Sequence, residues 1–91
     1  MKTIWKYQIT KSIGIHQLIE MPAGAEIVRV GIQGNMITLW ACVLPEEPKQ
    51  SYLFYFVGTG HPVPVKDRYI GSATDGGFEW HVWEVSGPVE R

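Results

Sequence analysis

Gly58-Thr59-Gly60-His61 brings two glycines, a hydroxyl and an imidazole together directly after a run of aromatic residues. Glycines allow a ligand to approach the backbone closely, the Thr59 hydroxyl can donate, and His61 can add charge. A loop that leaves a strand can turn its freed amides inward and hold an anion. The same residues also read as a turn with special backbone angles. A phosphate loop of the NTPase kind needs a following Lys-Ser/Thr pair and a helix, and neither follows here.

Aromatic and basic side chains extend this candidate site. Rings stack on bases and guanidinium groups pair with phosphates through two hydrogen bonds. Trp40, Tyr55 or Trp83, joined by Arg29 or Arg68, would cradle a nucleotide-sized ligand at a subunit interface. The expected ligand site is thus Thr59, Gly60, His61, Arg29, Trp40, Tyr55, Arg68 and Trp83, and the expected ligand is small and anionic.

Other chemistry finds less support. His16, His61 and His81 are scattered over three segments and no cysteine pair joins them, so neither a metal nor another cofactor is expected. Thr59 or Ser72 with His61 and Asp67 can be drawn as a hydrolytic triad, but nearness in sequence does not make one. Glu46 and Glu47 read as a solvated loop, and Glu79 and Glu84 as outward strand positions. His81 reads as a satisfied strand histidine near aromatic surface. The expectation is no enzyme, with a small hydrolase kept as an alternative.

These residues need strands to position them. Thr3 to Ile9 alternates, with Trp5, Tyr7 and Ile9 on one face. Lys11 to Gly14 reads as a turn and Ile15 to Met21 as a return strand with Ile19 and Met21 inward. Pro22-Ala23-Gly24-Ala25 breaks that strand. Glu26 to Gln33 places Val28, Val30 and Ile32 on one face and Arg29 and Gln33 on the other. Gly34-Asn35 between two β-branched runs predicts a hairpin to Met36–Val43.

Leu44 to Lys49 is a polar, proline-bounded connection. Tyr52 to Gly58 sets Tyr52, Phe54 and Phe56 against Leu53, Tyr55 and Val57, so a strand apolar on both faces is expected at a sheet centre or under a partner. The prolines Pro62 and Pro64 hold the loop from Gly58 to Asp67 extended. Arg68 to Thr74 is a strand, Asp75-Gly76-Gly77 a turn, and Phe78 to Val85 the last strand. There Trp80 and Trp83 fall on opposite faces, and one of them is expected to meet a partner.

Turn signals every 8–12 residues or so point to a sandwich or barrel. The fold class is all-β: a small antiparallel sandwich or partly open barrel of about seven short strands, running as a meander, in a single domain over residues 1–91. Such a chain buries roughly 60–65% of its unfolded surface.

With 8 basic and 9 acidic residues the formal charge is -1. That balance lacks the clustered basic surplus of a duplex nucleic-acid binder. Cys42 is the single cysteine, so no internal disulfide forms, and its apolar run suggests a small buried hydrophobe. The start lacks the apolar core of a signal peptide, and no window reaches the ~18 apolar residues of a membrane span. A cytoplasmic, self-associating protein without a membrane partner is expected.

The segments Met1-Lys2-Thr3-Ile4-Trp5-Lys6-Tyr7, Ile19 to Ile27, Leu39-Trp40-Ala41 and Val57-Gly58-Thr59-Gly60-His61-Pro62 together resemble a family of short phage and prophage proteins. Residues 10–15 and the tail after Val85 carry no matching motif, and no catalytic residues are carried over. The resemblance implies a setting, the host cytoplasm, and an accessory role. Inhibitors of host defence of this kind either bind a host protein or sequester a nucleotide immune signal as oligomeric sponges.

Overall fold

Among the described residues, two glycine-bearing turns each close a hairpin. Gly34 and Asn35 have φ values of +59° and +65°, and Gly76 and Gly77 of +57° and +88°. Two consecutive residues at positive φ suit the right-handed twist of the strands they join. The computed structural model describes residues 1–9, 16–63 and 68–85. The expected turn at Lys11–Gly14, residue Ile15 and the segment from Pro64 to Asp67 lie outside the described residues.

The described residues form seven strands: β1 (Thr3–Ile9), β2 (His16–Pro22), β3 (Glu26–Gln33), β4 (Met36–Val43), β5 (Lys49–Gly58), β6 (Arg68–Asp75) and β7 (Phe78–Glu84). They make two antiparallel sheets, one ordered β1-β4-β3 and the other β2-β5-β7-β6. The architecture is a sandwich and not a closed barrel. Among the described residues there is no helix, and so none long and apolar enough to cross a membrane.

The expected meander is not what the chain does. Only β3–β4 and β6–β7 are neighbours in both sequence and sheet. The chain changes sheet between β1 and β2, between β2 and β3, and again between β4 and β5. β2 therefore pairs with β5, not with β1. Crossing lets each sheet present one apolar face to the other, where a flat meander would leave a face wet.

Period-two alternation fills the space between the sheets. Ile9 from β1 and Ile37, Leu39, Ala41 and Val43 from β4 meet Ile19, Met21, Tyr52, Phe54 and Val82 of the other sheet. Trp80 packs against this core, whereas Trp83 lies on the opposite face of β7. β5 runs between β2 and β7, which agrees with its two apolar faces.

Two expectations for the strands of the three-stranded sheet need correction. Val28 is 52% exposed and does not join Val30 and Ile32. A bulge between Ile27 and Arg29 shifts the register and hands the inward position to Ile27. Cys42 is half-buried, because its parity on β4 places it on the outer face.

At one side the sheets nearly touch, with β3 against β6. Gly71 has φ +154°, and a Cβ there would stand 3.0 Å from Cγ2 of Val30. Gly71 closes a second bulge, between Tyr69 and Gly71. That bulge turns Ile70 toward the core and leaves Tyr69 outside.

Candidate functional site

The antiparallel registers draw one row of rings across the outer face of the four-stranded sheet. His16 lies opposite Tyr55, Tyr55 opposite Trp83, and Trp83 opposite Tyr69. Ring centroids are 5.6 Å apart for His16–Tyr55 and 5.0 Å apart for Tyr69–Trp83, the latter pair meeting edge to face. Such pairs add to the burial of the rings themselves. His16 and Tyr69 are exposed at the ends of the row, and Tyr55 and Trp83 are half-buried in the middle. Leu18, 40% exposed, flanks the row.

His81, two residues from Trp83 and on the same face, ties this row to the glycine loop. Its Nε2 lies 2.9 Å from Thr59 Oγ1 and its Nδ1 lies 3.1 Å from the Tyr69 hydroxyl. Each hydroxyl can donate or accept, so either neutral tautomer of the imidazole satisfies both contacts. The reading of His81 as a hydrogen-bonded strand histidine beside aromatic surface fits this geometry.

The loop itself is a tight turn. The His61 amide donates to the Gly58 carbonyl at 3.1 Å, and Gly60 takes φ +92°. A positive φ at the third residue is what glycine supplies to such a turn. The His61 ring folds back over Gly58, where a Cβ would stand 3.0 Å from Nδ1. One amide that an anion nest would use is thus committed to the turn.

Trp83 adds an unpaired donor. Its Nε1 is buried and meets no acceptor among the described residues. Leaving such a donor without a partner costs about 1–3 kcal/mol.

The eight expected site residues divide among separate places. Thr59, Tyr55 and Trp83 share the outer face of the four-stranded sheet, with Gly60 and His61 at its rim. Arg29 and Trp40 lie on the outer face of the other sheet, with the guanidinium carbon 4.5 Å from the Trp40 ring centre. Arg68 pairs with Glu84 at 3.3 Å. These two face each other on the core side of their strands, away from Tyr55 and Trp83, so Glu84 is not the outward position expected of it. Burial raises the Glu84 carboxyl above its ordinary pKa, and the nearby Arg68 partly offsets this. One cradle built from all eight residues is therefore not formed within a single chain.

Tyr69, His81, His16 and Leu18 escaped the expected set. Parity places His81 beside Trp83, but joining either to Tyr69 or His16 requires the strand order.

The Thr59–His81 contact is the kind that activates a hydroxyl for attack. The orienting position, however, holds a neutral phenol in place of a carboxylate that would stabilise an imidazolium. Of the alternative triad, Thr59 bonds His81, Ser72 donates to Glu79, and Asp67 lies outside the described residues. Among the described residues, no group of three His, Cys, Asp or Glu side chains could hold a metal ion.

Fold and site together define a small two-sheet β-sandwich with an aromatic outer face and a histidine-clamped turn. The chain belongs to the family described as "Domain of unknown function (DUF7352)", whose model matches residues 1–91. No curated protein and no solved structure matches the chain.

Proposed function

We propose that this is a non-enzymatic binding protein that self-associates through the outer face of the β2-β5-β7-β6 sheet. The observation that carries this reading is the His16–Tyr55–Trp83–Tyr69 row that three strand pairings set side by side. Clustered rings with an apolar neighbour such as Leu18 are what protein interfaces use as anchors. The first occupant is a second copy of the chain, because rings in a row can meet the same rings across a two-fold axis. A net charge of -1 offers little repulsion against that pairing.

The resemblance to short phage and prophage proteins supports an accessory role in the host cytoplasm, with a host defence factor as the partner beyond the second copy. A small anionic ligand suits this face less well. Among the described residues, no Lys or Arg stands on this face in the aromatic row or in the same-face rows flanking it, and Arg68, next to Tyr69, lies on the core side.

Light scattering at micromolar concentration tests the reading. The expected mass is that of a dimer or larger, with Leu18→Glu and Trp83→Ala shifting it to monomer while the β-sheet spectrum persists. A monomeric mass for the unaltered chain overturns self-association. Recovery of a stoichiometric host partner by that monomer would leave only protein docking.

A further inference from the structure

The outer face of the three-stranded sheet has its own chemistry, separate from the aromatic row. Its middle row is Lys6, Trp40 and Arg29, set side by side by the pairings of β1 and β3 with the central β4. Strands stand ~4.8 Å apart, so two cations flank one indole with backbones about 10 Å from each other.

Gly31 makes the arrangement possible. A Cβ there would stand 3.3 Å from Cζ3 of Trp40 and 3.5 Å from Nη2 of Arg29. Without it, the indole and the guanidinium settle together, at 4.5 Å from carbon to ring centre. Stacking holds the guanidinium plane in place and leaves its N–H edge to bind.

Neither cation is neutralised nearby. Lys6 Nζ donates to the neutral Gln33 side chain. Among the described residues no carboxylate lies within ion-pair distance of Arg29 or Lys6. Glu26, which faces Cys42 in the neighbouring row, is the acid closest in register.

We infer that the Lys6–Trp40–Arg29 row is a binding site for the phosphate group of a small phosphate monoester. A guanidinium fork matches two phosphate oxygens, and Lys6 supplies a second point charge. Two cations match the near-dianionic charge of such a group at neutral pH. The site needs neither the aromatic row nor self-association, so it stands apart from the function proposed above.

The test is a titration of isotope-labelled protein at low salt with AMP, inorganic phosphate and adenosine. AMP and phosphate should move the Arg29 Nε–H and Trp40 indole signals in a saturable way, and adenosine should not. Arg29→Ala and Lys6→Ala should each weaken AMP about tenfold or more, the scale of a lost charged hydrogen bond. Trp83→Ala should leave AMP binding unchanged. Both basic positions are at the surface, and a circular dichroism spectrum verifies each variant's fold. Absence of saturable shifts at millimolar phosphate, equal binding of adenosine, or unchanged affinity in both variants overturns the site.

Discussion

His81 shows how one side chain can organise a surface. Its two nitrogens hold Thr59 in the turn after β5 and Tyr69 on β6, so a loop and an edge strand share one anchor. Each such bond is worth about 1 kcal/mol net. His81→Ala should therefore lower the melting temperature by roughly 4–8 °C per kcal/mol lost, the scale for a domain of this size. Amide exchange at residues 59–61 should also quicken. A variant that melts like the parent, with the loop equally protected, would remove the clamp. Glu84 acts in another way. Burial raises its carboxyl above the ordinary 4.5, outweighing the opposing effect of Arg68. The folded state thus holds this proton more tightly than the unfolded chain does. Its contribution is fully present below 4.5 and is lost as pH rises through the raised value. Compared with Glu84→Gln, the parent should gain stability as pH falls from neutral toward 4.5. Paired melts across that range would expose a flat or reversed difference.

At the level of elements, the two bulges do what alternation alone cannot. The bulge in β3 moves Val28 out and Ile27 in, and the bulge in β6 points Ile70 inward and Tyr69 outward. Gly71 lets β6 lie against Val30 of the facing sheet, with no room for a side chain between them. Gly71→Ala combines crowding with a φ that L-residues seldom adopt, and should cost about 1–3 kcal/mol. Denaturant titration measures this, and a change below about 0.5 kcal/mol, the range of an ordinary surface substitution, would mean that the sheets close without help from this position. The same elements mark what the sequence could disclose. Gly34-Asn35 announced its hairpin and Asp75-Gly76-Gly77 a turn, because positive φ leaves a mark on residue type. The inward faces of β4 and β5 followed from parity. Which strand sits beside which did not follow, since the changes of sheet leave no local trace. Val28 was misplaced for that kind of reason: an extra residue in a strand looks like any other valine. The site suffered in turn, because Tyr69, His81 and Trp83 meet only once β6 is known to pair with β7.

For the whole molecule, the sandwich turns its two outer faces away from each other and gives them different chemistry. One carries His16, Tyr55, Trp83 and Tyr69, and the other Lys6, Trp40 and Arg29. The division has a measurable consequence for assembly. A stable interface takes about 800 Å² from each partner. That is about a seventh of the 5757 Å² accessible surface of this chain. If the ring row is the contact, association rests on apolar burial, and moderate salt should barely change the dimer constant. If the basic row were the contact, salt should weaken association steeply. Sedimentation across a salt series separates the two. Trp83→Ala should loosen the dimer by at least tenfold, the order expected for a buried aromatic anchor. Arg29→Ala should leave it intact. The reverse pattern, with salt-sensitive pairing lost in Arg29→Ala and kept in Trp83→Ala, would transfer the interface to the other sheet and leave the aromatic row without its assigned role.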